Sequence, residues 1–248
     1  MDDQVIAFID LLGFGSIIKA QGDARQGQIL SLLTSLAEIK GDFKRETKPI
    51  DVTSRVHSVQ PAISAFSDCM VFSVPAGGLA LVGAGLIVID LADLVASIFS
   101  DAIRLGCLVR GGIAYGPLHH GGGVVFGAGL VEAYELDSKF AGRPRVILSA
   151  KATEKLGSNP YLHFDDDGFS CLNYMRAAYD REVQFKSNRI ESAREWIAGV
   201  RTFCEDQITA LTRTQNLPGL QNWRWFATRF ERFVASLDPS ITGHGADA

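Results

Sequence analysis

Two aspartates, Asp10 and Asp68, stand where residue type and surroundings point to chemistry in this 248-residue chain. Asp10 directly follows the apolar run VIAFI, and a glycine-containing turn, LLGFG, comes next. Asp68 lies with Ser67 between two further apolar runs, AISAF and CMVFSV, which predicts a two-residue hairpin. Taken singly, each aspartate also has a purely structural interpretation, as a helix cap for Asp10 and a turn residue for Asp68.

The two aspartates are more informative as a pair. If the strand before Asp10 lies beside the hairpin, both carboxylates meet at one edge of the sheet. Two charges about 4 Å apart repel by about 4 kcal/mol at an effective dielectric constant of 20, so the pair needs a cation or a shared proton. Oxygen ligands suit Mg²⁺ or Mn²⁺, and the backbone N–H groups of the turn suit phosphate oxygens. The pair therefore predicts a site where two metal ions hold a triphosphate.

The elements that must position this site follow the order β-α-β-β-α-β-α-β. This order predicts an α+β fold with a mostly antiparallel sheet and helices on one face, in a ferredoxin-like, palm-type arrangement. Besides the strands at 5–9, 62–66 and 69–74, the apolar patterns predict strands at 107–116 and 145–149, a glycine-rich turn at 117–123, and helices at about 26–40, 79–104, 129–141 and 151–156.

The character of the chain changes at about residue 157. A hairpin is predicted around Asp166, Asp167 and Gly168, followed by helices at 188–212 and 221–236. The last helix carries a stripe of aromatic residues that is typical of core or dimer contact. We expect a catalytic core over 1–156 and a C-terminal extension of a hairpin and helices over 157–248.

Five segments resemble the catalytic domain of class III nucleotide cyclases. The segment FIDLLGF (8–14) resembles their F-x-D-x-x-G-F motif, and Phe66-Ser67-Asp68 resembles the hairpin with their second metal-binding aspartate. VRGGIAYG (109–116) resembles their R-x-G-I-x-x-G strand. Residues 126–136 resemble the arm glycine and the helix after it, and RVILS (145–149) resembles the strand that closes the core. The likeness covers about residues 3–150, in order.

The resemblance implies a reaction and roles for individual residues. The 3′-hydroxyl of a nucleoside triphosphate attacks its own α-phosphate and releases pyrophosphate. Asp10 and Asp68 would hold two Mn²⁺ or Mg²⁺ ions, with help from the Leu11 carbonyl. The backbone of Leu11, Leu12, Gly13 and Phe14 would receive the triphosphate. Two chains of this family pair head to tail, so a homodimer is expected.

The departures from the family pattern are also specific. Ser64 and Val124 occupy the positions of the lysine and aspartate that read a purine. Val131 and Glu135 occupy the positions of an asparagine and an arginine that steadies the transition state. Arg110 is the preferred replacement for that arginine, and the other candidates are Lys139, Arg143 and Arg145. Ser64 and Arg110 are also the leading candidates for reading the base, with Arg55 and His57 as weaker ones.

With neither purine code present, the chain resembles the stand-alone pyrimidine cyclases of bacterial Pycsar antiphage systems. The resemblance implies a phosphorus–oxygen lyase that converts UTP to cyclic UMP, which activates a separate cyclic-nucleotide-binding effector. A cytidylate cyclase that makes cyclic CMP is an alternative. A catalytically silent nucleotide-binding protein on the same fold is another, and the repelling aspartates argue against it.

Composition restricts the remaining classes. The net charge of −4 gives no basic surface to follow DNA or RNA, which argues against a palm-type polymerase. The four cysteines form no CxxC pair, so we expect buried free thiols. No signal peptide or membrane span is predicted, and a cytoplasmic location is expected. The pair His119–His120 is interpreted as a turn or interface, and Asp165–Asp167 as a solvated hairpin turn.

Overall fold

The computed structural model describes residues 1–19, 27, 30, 31, 34, 62–76, 84–184 and 186–242. Its strands are β1 (Asp2–Leu12), β2 (Ala62–Phe66), β3 (Cys69–Pro75), β4 (Leu108–Gly121), β5 (Val124–Phe126), β6 (Val146–Leu148), β7 (Leu162–Phe164) and β8 (Ser170–Leu172). Its helices are α1 (Phe14–Lys19), α2 (Ala84–Arg104), α3 (Ala128–Glu135), which continues as a π-helical stretch (Leu136–Ala141), α4 (Ala150–Leu156), α5 (Tyr174–Val183), α6 (Arg189–Arg213), α7 (Leu217–Ala235) and α8 (Pro239–Thr242).

The strands form one sheet in the order β2-β3-β1-β4-β6-β8-β7, and β5 pairs with β4 outside this path. Only the β4–β6 pairing is parallel among the strands described. The predicted α+β class with a mostly antiparallel sheet is confirmed. The central position of β1, between β3 and β4, places Asp10 beside residues from both neighbouring strands.

The two faces of the sheet separate the core from the site. Side chains alternate along β1, so Val5, Ala7 and Ile9 join the main core, to which α2 contributes, while Ile6 joins a smaller cluster with Ala133 of α3. Helices therefore pack on both faces, and the prediction of helices on one face is wrong.

Glycine at position 112 allows α3 to pack closely on the sheet. A Cβ at Gly112 of β4 would overlap the carbonyl oxygen of Ala133 in α3, and it would lie 2.5 Å from Cβ of Leu136. Only a residue without a side chain lets α3 approach the sheet this closely. The start of the π-helical stretch at Leu136 is therefore held directly on the sheet.

The C-terminal part continues the same sheet. Strand β8 pairs with β6, and β7 forms the edge. The aromatic stripe of α7 packs inward: Phe226 is fully buried, and its ring centroid lies 5.6 Å from that of Phe99 in α2. The interpretation of this stripe as core is confirmed, while the division at residues 156 and 157 stays a prediction.

In the acidic hairpin between β7 and β8, Asp166 is exposed as expected for a solvated turn, whereas this expectation is wrong for Asp165. Its side chain is only 6% exposed, and it pairs with Arg145 at 2.6 Å and with Arg229 at 2.7 Å. Arg145 also binds Asp167 through two hydrogen bonds. Arg145 directly precedes β6 and Arg229 lies in α7, and these positions are too distant from the hairpin in sequence for their proximity to be predicted.

Several boundaries differ from those predicted. Strand β1 continues through Asp10 to Leu12, and β4 continues to Gly121, so the predicted turn at 117–123 shrinks to Gly122 and Gly123. Helix α5 was not predicted, because the sequence YMRAAYDREV shows no clear apolar period. The other predicted strands, the hairpins and the helices at 129–141, 151–156, 188–212 and 221–236 are confirmed within a few residues.

Parts of other predictions fall outside the described residues. These parts are most of the helix at 26–40, the start of the helix at 79–104, and the candidates Arg55 and His57. Cys107, Cys171 and Cys204 are buried free thiols as expected, whereas Cys69 is half-buried. Within the described ranges, no helix has the length and apolar character that crossing a membrane requires.

Candidate active site

Asp10 and Asp68 lie together on the face of the sheet opposite α2. Asp10 of β1 is directly opposite Cys69 of β3, and the backbone N–H of Leu11 donates to the carbonyl oxygen of Asp68 at 3.1 Å. A carboxylate oxygen of each aspartate and the Cys69 sulfur lie within 4.8 Å of one another. Strand β1 therefore lies beside the hairpin, and the two carboxylates meet as hypothesised from the sequence.

Arg110 joins these acidic groups from the other side of β1. It is opposite Asp10 in the β1–β4 ladder, and its Nη2 donates to Oδ2 of Asp10 at 3.1 Å. Its Nε and Nη2 also donate to the two carboxylate oxygens of Asp137, at 2.8 and 3.1 Å. Arg110 thus bridges two carboxylates beside Asp10. It is the residue preferred from the sequence as the replacement for the family's arginine.

Asp137, the second partner of Arg110, was not predicted from the sequence. Its side chain is only 3% exposed, and it lies in the π-helical continuation of α3. A π-turn changes which side chains face the sheet, and such turns are frequent at functional sites. One signal in the sequence was the apolar run around Arg110, which predicts that the guanidinium is partly buried. A half-buried guanidinium needs a carboxylate partner.

The charge balance of the site shifts the pKa of its groups. Burial raises the pKa of Asp10, nearby Asp137 and Asp68 raise it further, and Arg110 opposes them. Burial and the negative charges of Asp10 and Asp68 raise the pKa of the Cys69 thiol to about 12. The thiol is therefore protonated at neutral pH, and its sulfur lies 3.7 Å from Oδ1 of Asp10. The site holds more negative charge than Arg110 neutralises.

The donor set fits a hard divalent cation. Two carboxylates at the end of one strand and the tip of a hairpin provide oxygen ligands, which Mg²⁺ and Mn²⁺ prefer. A divalent ion would remove the repulsion that raises the pKa of Asp10.

The turn after β1 is built as expected. Gly13 has φ +98°, and a Cβ there would lie 3.3 Å from the carbonyl oxygen of Gly106, so this position favours glycine. Phe14 is buried and begins the short helix α1, while Leu12 packs against the core. The segment Leu11–Phe14 therefore passes from the strand that carries Asp10 directly into a helix.

Ser64 belongs to a chain of polar side chains farther along the same face. It donates to or accepts from Nε2 of His120 at 2.9 Å, and Ser73 contacts Nδ1 of the same ring at 2.8 Å. His120 lies near the end of β4, which brings it over β2 and β3. His119 instead stacks on Phe126, with ring centroids 5.3 Å apart. The two histidine rings therefore have different neighbours and are not arranged to bind one metal ion together.

Three positions at which the chain departs from the cyclase pattern, Val124, Val131 and Glu135, are not among the hydrogen-bond partners of Arg110, which are Asp10 and Asp137. Val124 and Val131 are exposed, and Glu135 pairs with Lys139 on the helix surface at 2.6 Å. Arg143 is exposed, and Arg145 is engaged with the Asp165 hairpin. Of the four candidate cations, only Arg110 contacts Asp10.

No family model and no curated protein matches the chain. Among solved structures, it is similar to the monomeric guanylyl cyclase domain of the RhoGC fusion protein from the aquatic fungus Blastocladiella emersonii, with 14% identity and a TM-score of 0.44 over 69% of this chain and 94% of that one. It is also similar to a class III adenylyl cyclase-like ATP-binding protein from Pseudomonas aeruginosa, with 11% identity and a TM-score of 0.42 over 86% of this chain and 44% of that one. This chain spans less than half of the second protein.

Proposed function

We propose that this chain is a metal-dependent pyrimidine nucleotide cyclase that converts UTP to 3′,5′-cyclic UMP and pyrophosphate. The observation that carries the proposal is the meeting of Asp10, Asp68 and Arg110 at one edge of the sheet. In that reaction the 3′-oxygen bonds to the α-phosphorus, the bond to the bridging oxygen breaks, pyrophosphate leaves, and the hydroxyl proton passes to solvent.

Each part of the site has a role in this reaction. Asp10, Asp68 and the Leu11 carbonyl would hold two Mn²⁺ or Mg²⁺ ions. Such ions neutralise triphosphate charge and activate the attacking hydroxyl. Backbone N–H groups of the turn Leu11–Phe14 would bind phosphate oxygens. Arg110 would stabilise negative charge on the phosphates, with Asp137 fixing the plane of its guanidinium.

The chain from Ser64 through His120 to Ser73 is the proposed base-reading element. Ser64 lies one strand across from Cys69 and two residues along the sheet, which corresponds to about 5 Å and about 7 Å. A nucleotide with its phosphates at Asp10 would extend its base in this direction. A serine hydroxyl can donate or accept, so Ser64 suits the polar edge of uracil and also that of cytosine. UTP is favoured by resemblance, and cyclic CMP formation from CTP is the alternative.

A head-to-tail homodimer is part of the proposal. Large apolar side chains are exposed along β5, α3 and its π-helical continuation: Val124, Phe126, Val131, Tyr134 and Phe140. Exposed apolar residues concentrated in one segment are typical of an interaction surface. The proposed product is a second messenger in antiphage defence that activates a separate cyclic-nucleotide-binding effector.

Incubation of the purified chain with Mn²⁺ and each of the four nucleoside triphosphates tests the activity. We expect cyclic UMP from UTP, a smaller amount of cyclic CMP from CTP, and no product with EDTA. Ser64→Ala should alter the ratio of the two pyrimidine products, whereas His119→Asn, at the neighbouring histidine outside the polar chain, should leave the ratio unchanged. Failure to form either pyrimidine product would contradict the proposal.

The second candidate is a catalytically silent nucleotide-binding protein. Val131 and Glu135 favour it, because they stand at the positions where the cyclase pattern has the asparagine and the arginine that steadies the transition state. Calorimetry with each triphosphate and Mn²⁺ separates the two candidates. Metal-dependent binding without pyrophosphate release would establish the silent protein, and release at a steady rate would exclude it.

A further inference from the structure

The polar chain that links Ser73, His120 and Ser64 begins at a buried hydroxyl. Ser73 is fully buried, and its neighbours in the same row of the sheet are Ile6 of β1 and Ala62 of β2, whose side chains form no hydrogen bonds. Among the residues that the structure describes, His120 is the one hydrogen-bond partner of this hydroxyl, with Nδ1 2.8 Å from Oγ. The direction of the Ser73 proton therefore depends on His120.

Burial decides which atom donates between Ser73 and His120. A serine hydroxyl carries one proton, and a buried donor in a protein nearly always has an acceptor. If Nδ1 donated to Ser73, the hydroxyl proton would have no acceptor in the described part of the chain. The Ser73 hydroxyl therefore donates, and Nδ1 accepts. A positively charged ring is disfavoured for the same reason, because both of its nitrogens donate.

The His120 ring passes this direction on to Ser64. A neutral imidazole that accepts at Nδ1 carries its proton on Nε2. Nε2 lies 2.9 Å from Oγ of Ser64 and donates to it, so the hydroxyl proton of Ser64 points away from the ring. Ser64 is half-buried, whereas Ser73 is fully buried, so the outer hydroxyl is the one that a ligand can reach.

Ser64 faces the same side of the sheet as Asp10. It is opposite Val71 of β3, and Val71 is opposite Phe8 of β1, which precedes Asp10 by two residues. Side chains that are directly opposite share a face, and so do side chains two residues apart on one strand. The Ser64 donor is therefore on the face where the carboxylates of Asp10 and Asp68 meet.

We infer that Ser64 presents a hydrogen-bond donor to the base of the nucleotide, and that Ser73 sets this direction through His120. The inference rests on the proposed function, in which Ser64 faces the base. Uracil has a carbonyl oxygen at C4, which accepts the hydroxyl proton, whereas cytosine has an amino group there, which donates. Two donors that face each other leave both unsatisfied. The chain therefore selects UTP over CTP, and Ser73 and His120 are positioning residues that act through Ser64.

Nitrogen-15 NMR of the full-length protein in EDTA tests the direction of the chain without substrate or turnover. The chemical shift of each ring nitrogen reports whether it is protonated, and His120→Gln identifies the resonances of His120. We expect a proton on Nε2 and none on Nδ1 at pH 7. A proton on Nδ1, in the neutral or the charged ring, would overturn the inference.

Calorimetry with 3′-deoxy-UTP and 3′-deoxy-CTP in Mn²⁺ tests the selection itself, because these analogues lack the hydroxyl that would attack. The wild type should bind the uracil analogue at least about tenfold more tightly, since an unsatisfied donor in the cytosine complex costs that much. Ser73→Ala removes the buried proton that fixes the ring. The ratio of the two affinities should then fall several-fold, while the affinity for inorganic triphosphate should stay the same.

Further variants separate this role from a structural one. Ser64→Ala removes the donor itself and should abolish the selection. His120→Gln retains one acceptor and one amide donor and should keep part of it. His119→Asn changes the neighbouring ring, which stacks on Phe126, and should leave the ratio at its wild-type value. A Ser73→Ala variant that loses stability but keeps the wild-type ratio would assign Ser73 a structural role only and overturn the inference.

The inference and the proposed function fail in different ways. Equal affinity of the wild type for the two analogues would overturn the inference alone. Binding with the expected ratio, but without pyrophosphate release from UTP, would overturn the cyclase activity alone. Absence of metal-dependent binding of either analogue would overturn both.

Discussion

Two clusters of aspartate and arginine lie on the same sheet and differ in charge balance. The Asp10 cluster (Asp10, Asp68, Asp137 and Arg110) places three carboxylates around one guanidinium. The Asp165 cluster (Asp165, Asp167, Arg145 and Arg229) places two carboxylates against two guanidinium groups. Both are partly buried, and both hold short ion pairs, so geometry alone does not distinguish them.

The pKa shifts separate the two clusters. Burial and neighbouring carboxylates raise the pKa of Asp10 despite Arg110. Burial also acts to raise the pKa of Asp165, but hydrogen bonds from Arg145 and the Asp166 backbone, with the charge of Arg229, lower it overall. A cluster with excess negative charge needs a further cation, whereas a balanced cluster is complete in the folded chain. This difference supports the proposed site at the Asp10 cluster and a structural role for the Asp165 cluster.

The largest expected effect is the loss of activity in Asp68→Asn. This change removes a proposed metal ligand but keeps the size of the side chain, so cyclic UMP formation should fall by about 1000-fold or more. The melting temperature should stay the same or rise, because one repelling charge is removed. Activity assays with Mn²⁺ and thermal unfolding measure both. Asp166→Asn, at an exposed hairpin position, should leave both unchanged, and an active Asp68→Asn variant would exclude the two-metal role.

A substitution in the Asp165 cluster should lower stability and leave activity unchanged. Asp165→Asn leaves Arg145 and Arg229 short of a buried carboxylate, and it should lower the free energy of unfolding by about 3 kcal/mol. Turnover per folded molecule should be unchanged. Urea unfolding monitored by circular dichroism measures the first quantity. The exposed Asp166–Arg232 pair provides the control, since Asp166→Asn should cost less than about 0.5 kcal/mol. Equal losses in the two variants would show that the Asp165 cluster does not stabilise the fold.

A smaller effect on activity is expected from Asp137→Asn. Asp137 acts through Arg110, and outer partners of this kind typically change activity or metal affinity by about tenfold to 100-fold. Without its carboxylate, Arg110 should bind Asp10 more strongly and compete with the metal. The Mn²⁺ concentration for half-maximal activity should therefore rise, and Asp137→Glu should restore part of the affinity. A variant that loses stability but keeps the Mn²⁺ dependence of the wild type would assign Asp137 a structural role only.

The comparison also shows what a sequence can predict. The apolar runs around Asp10 and Asp68 predicted one strand and a hairpin. The adjacency of that strand to the hairpin, on which the meeting of the carboxylates depends, was a hypothesis that the pairing of β1 with β3 confirms. Asp137 could not be predicted, because a π-turn changes its direction and no residue pattern marks that turn. The Asp165 cluster was misread for a related reason: its arginines come from β6 and α7, and only tertiary packing brings them to the hairpin.

The smallest expected effect concerns acid stability, and it follows from the sign of the pKa shifts. Arg145 lowers the pKa of Asp167, and hydrogen bonds from Arg145 outweigh burial at Asp165, so both folded values lie below the ordinary 3.8. Carboxylates with lowered folded pKa stabilise the protein above their unfolded pKa, and this contribution is lost as pH falls through the folded value. Urea unfolding at a series of pH values below 4 should show stability falling more steeply in the wild type than in Asp165→Asn. Identical slopes would mean that the titration of Asp165 does not contribute to acid unfolding, and that the balance of charge in this cluster is not what stabilises it.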